Sequence, residues 1–151
     1  FGPEGEGIDL SSLGKGFAVD RVCERLRSLG MHDFVFALAG EVRAEGGWSV
    51  DIEKPLPAAS ISKQTVMLRN RSIATSGNYR QFRETPEGIV SHIIDPRTGK
   101  PVIRPFSSVT VIADDCAKAS AWATALFVLG PDANHPSDME VIWQIEKEPD
   151  R

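Results

Sequence analysis

Between Ile8 and Gly30 the apolar residues Leu13, Phe17, Val22, Leu26 and Leu29 recur every three to five positions. That is the period of an amphipathic helix. Ser11 and Ser12 stand where a side-chain oxygen accepts from the free amides at a helix start, and Gly30 stands where a glycine closes its end. The pattern then changes. Phe34 to Leu38 reads as a buried strand, Val42 to Ala44 as a short one, and Trp48 to Ile52 alternates as a strand with one wet face does. Pro55 and Pro57 mark a loop after it.

The second half repeats the short-strand pattern before returning to a helix. Val66 to Arg69, Ile73 to Thr75, Ile89 to Ile94 and Ser108 to Ala113 are strand candidates, the last strongly β-branched. Cys116 to Leu129 has helical length and composition and stops at Gly130-Pro131. Met139 to Ile145 then reads as an edge or returning strand. Helix, several strands, helix, strand predicts an α+β fold, with helices packed on a mainly antiparallel sheet.

Composition narrows the class without naming a function. The 151 residues are 41% hydrophobic and 25% charged, which suits one domain over 1–151 with a substantial core. Seventeen basic residues against 21 acidic ones give a net charge of −4, and the basic residues are scattered. Nucleic acid is therefore not the expected partner. Cys23 and Cys116 lie on helices with no CxxC spacing, so free buried thiols are expected and no cysteine metal site. The longest apolar runs are far shorter than a membrane span, and no signal peptide is visible.

The densest chemistry lies in Ser91 to Val102, SHIIDPRTGKPV, where a buried strand runs into a turn forced by Pro96 and Gly99. His92 and Asp95 stand at that strand end, where scaffolds present working groups. Asp95 also suits a purely structural turn, bonding the amides ahead of it. Just upstream, IATSGNYRQF places a second small-residue turn beside Tyr79 and Arg80, residues that suit either a pocket or a packed strand end. Lys15 lies one turn into the first helix, where free amides and a positive charge together suit a diphosphate. Ordinary capping with a surface lysine is the local alternative. Ser120 and Thr124 are four apart on the second helix and share a face, fit for an oxygen-rich ligand or hard cation, although five nearby alanines favour close packing locally.

In order, IDLSSLGKGFAVDRV, FVFALAGEVRAEGGWSVDIEKP, SIATSGNYRQF, SHIIDPRTGKPV, SSVTVIADD and ASAWATALFVLG resemble the ApbE family, the FAD:protein FMN transferases. The resemblance runs from about Ile8 to Pro131. It implies an enzyme that uses Mg²⁺ to cleave FAD and moves FMN onto a Ser or Thr hydroxyl of a target protein, with AMP leaving. It also implies an acceptor in a membrane redox complex, and a periplasmic or lipid-anchored position on the outer side of the inner membrane. By the same resemblance Asp9, Lys15 and Ile94 fall on FAD contacts, Ser12 and Thr124 on metal-binding positions, and His92 and Asp95 beside the flavin diphosphate. His92 is the candidate base or phosphate contact.

Two departures carry consequences. Ser120 stands where the family usually has an Asp that binds metal, and a neutral hydroxyl is a poorer Mg²⁺ ligand than a carboxylate. Asp114 and Asp115, just upstream, are expected to begin the helix rather than replace that ligand. The segment Ala37-Leu38-Ala39-Gly40-Glu41 stands where the family often has Asn, paired Gly and Asp. The resemblance covers roughly the C-terminal half of a full member, the N-terminal portion being absent. Two alternatives to transfer are a non-catalytic flavin-binding or interaction domain, and an FAD pyrophosphatase releasing FMN and AMP.

Overall fold

The computed structural model describes residues 9–53, 63–78, 82–86, 88–103 and 107–145. Tyr79 and Arg80, and the loop expected at Pro55 and Pro57, lie outside them. The first helix, α1, runs from Ser11 to Ser28 and is followed by β1 (Phe34–Leu38), β2 (Glu41–Glu45) and β3 (Gly47–Glu53). Next come β4 (Lys63–Arg69), β5 (Ser72–Gly77), β6 (Phe82–Thr85), β7 (Gly88–Asp95), β8 (Lys100–Ile103) and β9 (Ser107–Ala113). Helix α2 (Cys116–Leu129) and β10 (Glu140–Ile145) close the order.

A five-stranded antiparallel sheet, in the order β1-β2-β5-β9-β10, forms the scaffold. Alternation along its strands divides the core in two. Ala74, Val109, Val111 and Ala113 face α2, where Ala119, Ala123, Leu126 and Phe127 are buried against them. On the opposite face Ala44, Ile73 and Ile112 pack on Ile52 and Leu68 of the β3–β4 hairpin. The alanines of α2 let the helix lie close to the sheet, as their small volume allows. The third sheet, β6-β7-β8, joins the first core through Val102 and Ile93. This is the expected α+β fold, with β10 as its expected edge strand, but β1, expected to be buried, is the opposite edge and buries only Phe34, with Val35 and Leu38 exposed.

Of the apolar residues that suggested the buried face of helix α1, only Leu26 packs on the core, beside Val19, Cys23 and Phe34. Leu13, Phe17, Val22 and Leu29 are exposed, while Gly16, Val19 and Cys23 are buried. The reason is α2. A Cβ built on Gly16 would sit 2.4 Å from the carbonyl oxygen of Cys116 and 2.8 Å from Cα of Ala117. The two helices thus meet backbone to backbone at a glycine, and that requirement outranks hydrophobic period. The capping expectation is corrected as well. Ser11 is the first helical residue rather than the cap, and its amide donates to the Asp9 carboxylate at 2.8 Å.

Asp20 fixes the pair from the other side. Its carboxylate accepts from the amides of Cys116 and Ala117 at 2.8 and 2.9 Å, capping α2 from a neighbouring helix. Asp115 is the local cap, accepting from the Lys118 amide at 2.6 Å. So Asp114 and Asp115 begin α2, as expected.

Candidate functional site

The turn between β1 and β2 is two residues long, with Leu38 paired to Glu41. Both Ala39 and Gly40 have positive φ, at 49° and 103°. This tight reversal sets the register of β2 so that Glu41, Arg43 and Glu45 point together toward the helices, while Val42 and Ala44 point into the apolar layer beneath. All three charged residues are buried. Sequence reasoning noticed Glu41 only as a departure in a turn. The signal available was the period-two alternation E-x-R-x-E.

Each charge in this row finds partners from the helices or the adjoining strands. Glu45 accepts from Arg43 and pairs with Arg27 at 3.3 Å, and Arg43 donates to the carbonyl of Asp114. Glu41 lies at the far end, only 4% exposed. Its Oε1 takes the Lys15 ammonium at 2.8 Å and the Ser120 hydroxyl at 3.2 Å. The Thr124 hydroxyl donates to the Ser120 carbonyl at 3.3 Å and shares a hydrogen bond with Ser76 at 3.0 Å. Three residues named from sequence, Lys15, Ser120 and Thr124, therefore lie in one polar cluster where α1, α2, β2 and β5 meet. Ser12 is half-buried on the same face of α1, one turn before Gly16. Asp9 is exposed at the helix start, its carboxyl held below the usual range by the Ser11 hydroxyl and amide.

The other named residues sit on β7. Ser91 is buried and Ile93 packs on the core, so alternation turns His92 and Ile94 outward, and Ile94 is 49% exposed. Asp95 ends the strand with its carboxylate committed to the following turn. Arg97 donates to it from Nε at 3.0 Å, Nη2 at 2.7 Å and its amide at 2.9 Å, and the guanidinium bonds hold the carboxyl below its ordinary range. The Asp95 carbonyl receives the Gly99 amide at 2.8 Å, with Gly99 at φ 65°. Asp95 thus builds the turn, and the structure puts no described contact between it and the Lys15 cluster.

Both cysteines are buried and unpaired. Burial pushes the Cys23 thiol up to about 11 and the Cys116 thiol up to about 12, with Asp20 and Glu41 adding to the second. Neither is a nucleophile at neutral pH. A half-open recess of about 320 Å³ lies along α1 between Phe17, Asp20, Arg27 and Arg43. Its charged groups are engaged in capping, in the β2 row or in ion pairs of their own, Arg21 with Glu24 and Asp114 with Arg71. Asn78 was also missed from sequence. It is fully buried and clips β5 to β9, accepting from the Ser107 amide at 2.8 Å.

Among the described residues no three His, Cys, Asp or Glu side chains converge to hold a metal. The donors available beside Glu41 are hydroxyls, one carboxylate and a backbone carbonyl. An all-oxygen set of that kind suits a hard cation rather than a transition metal.

The family model described as the ApbE family matches residues 3–143. The FAD:protein FMN transferase of Haemophilus influenzae is 39% identical over 132 residues, 83% of this chain and 38% of that protein. The enzyme of the same name from Escherichia coli K12 is 35% identical over 131 residues, 83% of this chain and 37% of that protein. The chain thus spans less than two-fifths of the length of these relatives. Among solved structures, the flavin transferase ApbE from Vibrio cholerae superposes with a TM-score of 0.79 at 32% identity, covering 93% of this chain and 48% of that one. The apo flavinyl transferase ApbE of Pseudomonas stutzeri gives 0.73 at 29% identity, covering 91% and 49%.

Proposed function

This chain belongs to the ApbE family, and on that premise we propose that it serves FAD:protein FMN transfer. FAD is the substrate, its diphosphate bridge is cleaved, and FMN passes to a Ser or Thr hydroxyl of an acceptor protein. The observation that carries this reading is the cluster of Lys15, Glu41, Ser120 and Thr124 at the junction of the two helices. It combines a half-exposed ammonium and hydroxyls, which suit the pairing and alignment of a diphosphate, with a buried carboxylate that suits a cation.

The bond that forms joins the acceptor oxygen to the FMN phosphorus, and the bond that breaks is the anhydride to AMP. Such a transfer depends on positioning and on charge neutralisation more than on covalent help. Lys15 meets the diphosphate from α1, with Asp9 and Ile94 as further FAD contacts, the exposed side chain of Ile94 offering an apolar surface. His92 takes the proton lost by the acceptor hydroxyl. Asp95 holds the turn that sets the end of β7, through its bonds to Arg97 and Gly99. Ser12, Ser120 and Thr124 would supply oxygen donors for Mg²⁺, which would offset negative charge on the diphosphate.

We read 1–151 as a single ApbE-like domain. By family likeness we place the protein on the periplasmic side of the inner membrane, with its acceptor in a membrane redox complex. Among the described residues no helix is long and apolar enough to cross a membrane.

Calorimetric titration of FAD with and without Mg²⁺, followed by chromatography of the products, tests the reading. Saturable FAD binding that tightens with Mg²⁺ is expected. Free FMN and AMP in the absence of any labelled protein would shift the assignment to FAD hydrolysis. No binding at all would point either to a segment that needs the family's N-terminal portion or to a degenerate domain, and adding that portion would separate the two.

A further inference from the structure

Glu41 is the least completely satisfied charged group of the cluster. Its Oε1 carries both the Lys15 and the Ser120 contacts, while its Oε2 is buried with no hydrogen-bond partner among the described residues. A carboxylate oxygen held out of water without a donor or cation is costly, and native structures rarely leave one so. Its surroundings are rich in oxygen. Ser120 lies against the same carboxylate, and Thr124 and Ser76 continue the hydroxyl chain one helical turn further.

We infer that Glu41 is a carboxylate ligand for a hard divalent cation, supplying the charge that Ser120, a neutral residue, does not. The inference rests on the transferase reading and deepens it. A long acidic side chain from β2 reaches the α2 face that a shorter acid on the helix itself would occupy. Lys15, half exposed on α1, is the exchangeable partner. It neutralises Glu41 when no cation is present, and it is released toward an anionic ligand once a cation takes over that role. The cation and an anionic ligand therefore bind with positive coupling, because each removes a charge that would oppose the other.

The test is a titration of Mn²⁺ alone into the purified chain, without FAD, read by calorimetry and by the loss of the free-ion electron paramagnetic resonance signal. One saturable site is expected. Glu41→Gln should weaken it by about tenfold or more, and adding Ser120→Asp to Glu41→Gln should recover it. Where Glu41→Gln fails to fold by circular dichroism, Glu41→Asp keeps the charge but withdraws it by one methylene, and a several-fold weaker site is expected. Absence of Mn²⁺ binding in the natural chain, or equal binding by the Glu41 variants, would overturn the inference. Titrating FAD into the same preparations separates the two claims: FAD binding without Mn²⁺ binding would defeat this inference and leave the transferase reading standing.

Discussion

Glu41 and Glu45 are two buried carboxylates on one strand, four residues apart, and they differ in how they are compensated. Glu45 receives Nε and Nη2 of Arg43 at 3.0 and 2.9 Å besides the more exposed Arg27. Glu41 has Lys15 as its cation and Ser120 as its hydroxyl donor. Removing one partner of a buried charge costs more the less compensation remains. Arg27→Ala should therefore change stability by less than about 0.5 kcal/mol, close to a surface pair. Lys15→Ala should cost about 1–2 kcal/mol, discounted because the ammonium is half exposed. Urea midpoints decide it, and equal losses would sink the argument. The thiols make a second prediction. Because burial raises Cys23 and Cys116 in the folded chain, the unfolded chain loses their protons first as pH rises. Their stabilisation is intact below about pH 9 and should decline as pH rises through the folded values of about 11 and 12. A thiol reagent at pH 8 should label neither cysteine until denaturant is added.

At the scale of elements, the helix pair shows where local pattern stops being informative. The bounds of α2 were legible from composition and the Gly130-Pro131 stop, and most strands followed from short apolar runs and turns, whereas β6 and β8, short and interrupted by polar or proline residues, were read only as parts of turns. The buried face of α1 was not legible, because Leu13 and Phe17 are more hydrophobic than Gly16 yet stand exposed. What selects Gly16 is the nearness of α2, a tertiary fact with no periodic trace. Asp20 is invisible for the same reason: its partners, the amides of Cys116 and Ala117, are nearly a hundred residues away. The site followed the same divide. Lys15, Ser120 and Thr124 could be named from their motifs, whereas Glu41, the carboxylate between them, required the β2 register. Gly16→Ala should push its methyl into the Cys116 carbonyl and cost about 2–3 kcal/mol through displaced backbone. Asp20→Ala should cost about 1–2 kcal/mol as a lost cap. Thermal unfolding of the two variants checks both, and a neutral Gly16→Ala would mean that the helices are farther apart than the geometry states.

Across the whole molecule the site residues divide between two sheets. Lys15, Glu41, Ser120 and Thr124 belong to the helix pair and the five-stranded sheet, whereas His92, Ile94 and Asp95 ride on β7 of the three-stranded sheet. What ties one to the other is apolar: Val102 of β8 is 8% exposed in the core containing Ala119, Ala123 and Phe127, with Ile93 packed beside it. Among the described residues, this apolar contact then helps to set the relative placement of the two halves of the proposed FAD site. Val102→Ala removes two methyl groups from that seam and should cost about 2 kcal/mol. The loss should be local, since the backbone pairing of β5 with β9 and of β9 with β10 does not involve β8. Amide hydrogen exchange is expected to speed up in β7 and β8 well before β5 and β9, and FAD affinity to fall although Val102 lies in the core. Uniform acceleration over all strands would instead make Val102 part of one cooperative core, and the placement of His92 relative to Lys15 would then depend on the fold as a whole.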